Sequence, residues 1–173
     1  MCEFSRSSDP KERPMSTPES AVLALADAVK FESDGRDFYL QAAQRAANPL
    51  AKAVFQALAE DELDHIRRVR EIYEELKSKP GWPAAAAMVA RASGVEDAFA
   101  RAARELDRQV GPDADAVEAL EKAAEMERKG LDFYRNRLAQ ASCDAEAEFY
   151  RRLVAEEEVH LRTIERALAD LRS

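Results

Sequence analysis

Glu62-Leu63-Asp64-His65 is a pattern that this chain contains twice. Ninety-five positions later stands Glu157-Glu158-Val159-His160, again a Glu followed three residues on by a His. His65 and His160 are the only two histidines in the sequence. Each Glu has an upstream partner at the same distance, Glu32 thirty residues before Glu62 and Glu127 thirty before Glu157. Phe38-Tyr39 follows Glu32 as Phe133-Tyr134 follows Glu127. Four carboxylates and two imidazoles at one repeated spacing make a ligand set for two metal ions.

The surrounding residues predict long helices. The N-terminal residues 1–16 are rich in Ser, Pro and charge and are expected to be a disordered tail, with Met15 an alternative start. Thr17-Pro18 is a cap followed by proline at the first helical position, opening a helix to about Ala47. Asn48-Pro49 repeats the signal and opens a second helix to about Ser78, which Lys79-Pro80-Gly81-Trp82-Pro83 ends. Residues 84–110 read as less regular helix with a break at Ser93-Gly94, and Val110-Gly111-Pro112-Asp113 is a second stop. A third helix is expected from Ala114 to Gln140, a turn at Ala141–Asp144, and a fourth helix to Leu171. The fold class is therefore all-α: two matching helical hairpins within residues 17–173, joined by a crossover over 79–113. A connection of that length can run the full length of the bundle, which favours second and third helices that are parallel.

The same periodicity turns the ligand residues inward. Ala51, Phe55, Leu58, Glu62, His65, Val69, Ile72 and Leu76 form one stripe in alternating steps of four and three. Tyr150, Leu153, Glu157, His160, Ile164 and Leu171 form its counterpart. Leu25, Ala28, Glu32, Gly35, Tyr39 and Ala42 share a face, as do Leu120, Ala123, Glu127, Gly130 and Tyr134. A lone His on an apolar stripe is ordinarily a core residue. Two of them, each with a Glu at −3 and another at −33, read as ligands. Four carboxylates converging in a bundle interior cannot all stay ionised unaided, and two divalent cations would neutralise them.

Composition bounds the function. A net charge of −8 argues against a nucleic-acid partner. The longest apolar run, Ala84–Ala90, is far too short to span a membrane, and the polar first twenty residues carry no secretory signal. Two cysteines, Cys2 and Cys143, form no framework and suit a reducing cytoplasm, with Cys143 read as an inert thiol near a helix start.

On Glu32, Glu62-x-x-His65, Glu127 and Glu157-x-x-His160, together with KFESDGRDFY, AEDELDH, EMERKGLDFY and AEEEVH, residues 19–172 resemble the rubrerythrin branch of the ferritin-like di-iron proteins. The resemblance implies a four-helix bundle holding two iron ions, cytoplasmic and homodimeric, reacting with hydrogen peroxide or dioxygen. It implies Glu62 and Glu157 as bridging ligands and Glu32 and Glu127 as terminal ones, with no catalytic residue beyond the ligands. Mn or Zn occupancy is compatible with the same ligand types. No four-cysteine rubredoxin module is present, so electrons are expected from an external donor such as a rubredoxin-like protein. The peroxide-reducing rubrerythrins carry an extra Glu three residues after the third-helix ligand, where this chain has Gly130.

Other residues take two readings each. Tyr39 and Tyr134 are either hydrogen-bond donors to the ligand carboxylates or ordinary core tyrosines. Gly35 and Gly130 leave room beside the ligands or allow close helix packing. Asp61, Asp64, Glu156, Glu158 and Glu125 lie off the stripes and are expected to be solvated, and Trp82 is read as packing at a bundle end or an interface rather than as chemistry. The leading function is a di-iron oxidoreductase; the alternative is a ferroxidase or iron-binding protein without multiple turnover.

Overall fold

A computed structural model describes residues 18–79, 81–83, 93–105 and 114–173. The expected N-terminal tail and parts of the crossover lie outside the described residues. Among the described residues five helices run in the order α1 (Pro18–Arg45), α2 (Pro49–Ser78), α3 (Val95–Glu105), α4 (Ala114–Ala139) and α5 (Asp144–Arg172). The four long helices are the two hairpins, α1–α2 and α4–α5, and α3 lies within the crossover. No helix among the described residues is long and apolar enough to cross a membrane.

Local chemistry sets the helix ends. The Asn48 side chain accepts hydrogen bonds from the backbone N–H groups of Leu50 and Ala51, satisfying two of the free donors at the start of α2. Gly81, with φ of 122°, takes the left-handed backbone that turns the chain after α2. At α5 the position equivalent to Asn48 is Cys143, which makes no side-chain cap bond. The fully buried Glu146 instead reaches back to the backbone N–H and hydroxyl of Ser142. Cys143, expected as an inert thiol, is disulfide-bonded. Spacing along a chain does not tell which cysteines meet in space, and this is why the sequence reading missed it; Cys2 lies outside the described residues.

Contacts between the hairpins define the topology. Tyr39 of α1 reaches Glu127 of α4, and Tyr134 of α4 reaches Glu32 of α1. Asp61 of α2 meets His160 of α5, and Arg68 meets Glu156. In both pairs, later residues on one helix meet earlier residues on the other, so α1 runs antiparallel to α4 and α2 to α5. With each hairpin itself antiparallel, α2 and α4 run parallel, as a full-length crossover requires.

Every position on the four expected stripes is buried, including the six ligand candidates. Two apolar clusters fill the bundle. One contains Leu50, Phe55, Leu58, Phe99, Leu120 and Ile164, and the other Leu25, Val69, Ile72, Trp82, Tyr150 and Leu153. Trp82 is fully buried against Phe149 and Tyr150, so it packs inside the second cluster.

The two paired glycines do different work. A Cβ at Gly35 would stand 3.8 Å from Met126 and 4.0 Å from Glu62, in ordinary contact. A Cβ at Gly130 would stand 2.9 Å from the Phe31 ring, closer than side chains tolerate. Gly130 is therefore a close-packing glycine. Both substitutions to Ala gain the same helix propensity, so Gly35→Ala should exceed Gly130→Ala in unfolding free energy by ~1–3 kcal/mol, the cost of overpacking. Chemical denaturation of the two metal-loaded variants measures this, and equal stability would refute the packing role of Gly130.

Candidate metal centre

The interior between the two apolar clusters is where the helices bring their carboxylates together. Glu32 (α1), Glu62 and His65 (α2), and Glu157 (α5) each offer one ligand atom within a 4.8 Å group. Glu62, Glu127 (α4), Glu157 and His160 (α5) form a second such group. Glu62 and Glu157 belong to both. All six are at most 3% exposed, and the two imidazoles stack with ring centres 5.4 Å apart.

The arrangement follows from helix geometry. Glu at i and His at i+3 share one face, so each E-x-x-H turn presents a carboxylate and an imidazole to the same point. His65 Nδ1 lies 3.3 Å from Glu62, 3.2 Å from Glu157 and 3.4 Å from Glu32. His160 Nδ1 lies 3.6 Å from Glu157 and 3.8 Å from both Glu62 and Glu127.

Protein groups alone leave this cluster incomplete. Glu62 Oε2, Glu157 Oε1 and His160 Nδ1 are buried without a hydrogen-bond partner. Buried polar atoms are normally satisfied, so orphans on three converging ligands mark the place of an absent group. Four carboxylates and two imidazoles, all oxygen and nitrogen donors, suit two divalent cations of the iron, manganese or zinc type. The donor set therefore fits a di-metal centre.

Electrostatics in the metal-free cluster point the same way. Burial, and then the charges of Glu32 and Glu157, push Glu62 well above the usual carboxylate range. Burial and Glu157 push Glu127 up to about 8. Burial opposes the charge of Glu157 too, but the approach of Glu127, His160 and His65 holds it well below that range. Burial disfavours both charged imidazoles, yet the acids around them prevail. Glu32 and Glu156 raise His65, and Asp61 and Glu127 raise His160. Charges so arranged require compensation, by protons or by cations.

Each tyrosine serves the opposite hairpin. The Tyr39 hydroxyl donates to Glu127 and the Tyr134 hydroxyl donates to Glu32. Burial first, and then the same carboxylates, raise both phenols well above their ordinary value, so they remain protonated donors. These bonds fix one oxygen of each carboxylate, and in Glu32 the other, Oε2, lies towards His65.

Two further carboxylates, expected to be solvated, belong to the site. Glu156 Oε2 lies 2.8 Å from His65 Nε2, and Asp61 Oδ2 lies 3.3 Å from His160 Nε2. Each is the residue immediately before the Glu of one E-x-x-H motif, and each serves the imidazole of the other. Arg68, itself buried, pairs with Glu156, whereas Asp61 is held by the Ser93 hydroxyl and the Gly94 backbone N–H just before α3. Burial opposes the charge of both acids, but the imidazoles and these donors hold them below the usual carboxylate range. The sequence reading placed them off the stripe, which is correct for their own helices. It did not anticipate that a position one step off the stripe faces the neighbouring helix across the bundle. The repeated acid before each motif Glu was the available signal. Glu158 is 41% exposed and pairs with Arg135, and Glu125 is exposed, as expected; Asp64 is half-buried beside Arg67.

Two measurements test this arrangement. Metal binding needs deprotonated ligands, and at pH 7 Glu127, with its pKa of about 8, carries a proton in the metal-free protein. Zinc titration near pH 7 should release protons to a weak buffer with an indicator dye, and apparent affinity should rise with pH. Binding without proton release would contradict the electrostatic account. Glu156→Gln and Asp61→Asn should each weaken metal binding by roughly 10- to 100-fold, while Glu158→Gln leaves it unchanged. Competition with a chelator of known affinity separates these outcomes, and unchanged affinity in the first two variants would remove both acids from the site.

Comparison with curated proteins finds no match, and comparison with solved structures finds none either. The family model for rubrerythrin matches residues 24–168, a span that contains all six converging ligand candidates and both tyrosines. The chain belongs to the rubrerythrin family.

Proposed function

We propose that this protein is a non-haem di-iron oxidoreductase that reduces hydrogen peroxide or dioxygen. The observation that carries the reading is the pair of overlapping ligand groups sharing Glu62 and Glu157. Shared carboxylates would bridge two ions, Glu32 and His65 would complete one site, and Glu127 and His160 the other. Iron in these positions would supply the two electrons that split the O–O bond of peroxide.

The chain's own residues would prepare that chemistry. Tyr39 and Tyr134 hold Glu127 and Glu32 by one oxygen each. Glu156 orients the His65 imidazole through its outer nitrogen, and Asp61 places its charge 3.3 Å from the outer nitrogen of His160. The apolar clusters on either side exclude bulk water and strengthen every charge interaction between them. Return of electrons would require a separate donor, for which a rubredoxin-like protein is the expected class.

One observation favours a second reading, ferroxidase or iron-binding activity without repeated turnover. At Gly130, where peroxide-reducing relatives carry the extra Glu, the Phe31 ring already occupies the space a side chain would take. A fifth ligand carboxylate is therefore absent at this position and cannot be added without moving Phe31.

Iron-loaded protein mixed with hydrogen peroxide and a reductant decides between the two. Many peroxides consumed per protein is the result expected for the oxidoreductase, and one oxidation per site would establish the iron-handling role. Glu157→Ala should lose at least one of the two ions in metal analysis, because it removes a carboxylate common to both groups. Retention of two ions by that variant would exclude the bridging assignment.

A further inference from the structure

The two hairpins match at an offset of ninety-five residues, but the aromatic arms leading away from the centre differ. From Glu127 one arm runs to Tyr39, then to Phe55, stacked at 6.3 Å, and Phe38, 6.4 Å further. From Glu32 the other runs to Tyr134, then to Tyr150 at 6.3 Å and Trp82 at 5.9 Å. Phe55 and Tyr150 are equivalent positions. A phenylalanine ring is far harder to oxidise than a phenol or an indole, so the first arm stops at Tyr39. The second is an unbroken line of three oxidisable rings, all fully buried. Packing alone does not call for a phenol at 150, since Phe55 fills the matching place and burying a hydroxyl costs free energy. The indole N–H of Trp82 has no hydrogen-bond partner, so a polar bond does not explain that residue either.

We infer that Tyr134, Tyr150 and Trp82 form a one-electron conduit between the metal centre and the Trp82 end of the second apolar cluster. The inference rests on the di-iron reading for its oxidant, hydrogen peroxide, whose reduction to two waters takes two electrons and two protons. Each electron reaches the oxidised centre from Tyr134, whose O–H bond breaks as its proton shifts to Glu32 along the existing hydrogen bond. Refilling Tyr134 by an electron from Trp82 across the Tyr150 ring, with return of the proton to Tyr134, is uphill, and reduction of Trp82 by the external donor draws it forward. Trp82, left as its radical cation, is reduced by an external one-electron donor such as ascorbate. Two passages serve one peroxide, and solvent supplies the two protons consumed. Ring-to-ring contact matters because electron tunnelling falls exponentially with distance.

Zinc-loaded protein tests the conduit without iron chemistry. Trp82 is the only tryptophan, so an indole radical produced by pulse radiolysis has one assignment. The expected result is first-order conversion to a tyrosyl radical at a rate independent of protein concentration. Tyr150→Phe should slow it by roughly tenfold or more, a tenfold change being about 1.4 kcal/mol of barrier. Tyr150→Leu, which removes the ring, should slow it further, and Tyr73→Phe, outside the arm, should leave it unchanged. Wild-type rates in Tyr150→Phe and Tyr150→Leu, both still binding two zinc ions, would overturn the conduit, as would conversion that depends on protein concentration. In the iron-loaded wild type, peroxide should hydroxylate Trp82, and Tyr150→Phe should suppress this. If zinc-loaded protein transfers the electron but iron-loaded protein ignores peroxide, the conduit stands and the peroxide reading of the site fails.

Discussion

Mutual repulsion among four buried carboxylates is the constraint on which the rest of the molecule depends. Glu32, Glu62, Glu127 and Glu157 are all but removed from water, and each comes from a different helix. Like charges in a low-dielectric interior cannot coexist without compensation. In the metal-free cluster protons supply it, and this is why Glu62 and Glu127 sit so far above the ordinary carboxylate range. Divalent cations supply it better, because two of them balance four negative charges and also satisfy the orphaned ligand atoms. The bundle around this point is symmetric because the charge problem is: each hairpin contributes two carboxylates and one imidazole.

Symmetry breaks down outside the ligands. Glu156 behind His65 is paired with the guanidinium of Arg68, whereas Asp61 behind His160 is held by neutral donors at the start of α3. One imidazole is thus backed by an acid whose charge is compensated, the other by an acid tied to the crossover. Gly35 and Gly130 show the same drift, since Phe31 fills the space over Gly130 while Gly35 retains room for a methyl group. The aromatic arms diverge at Phe55 and Tyr150. A duplicated frame has kept its ligands alike and let their surroundings specialise. Membership of the rubrerythrin family accounts for the shared frame. The differences between its halves belong to this chain's own residues.

Much of this architecture is legible along the chain. Cap-plus-proline at Asn48-Pro49 places the start of α2, and the stripe period places Glu62 and His65 on its buried side. A break at Ser93-Gly94 is followed at once by α3. These features are local: they depend on residues within a few turns of one another, and short-range geometry is what a linear pattern records. Asp61, Glu156 and Arg68 were not legible in the same way. Each lies beside the stripe, and its role depends on which neighbouring helix stands opposite.

From its residues alone, this chain specifies four long helices, their pairing into two equivalent hairpins, and the six side chains turned towards the bundle axis, because periodicity and repetition are properties of sequence. Only the tertiary structure decides that Tyr39 and Tyr134 cross between hairpins, that each acid beside a motif serves the opposite imidazole, and that Phe31 closes the space above Gly130. Those facts depend on how far apart two helices lie and how each is rotated about its axis. Such distances and rotations are set by all the side chains packed between the helices, and no single stretch of the chain contains them.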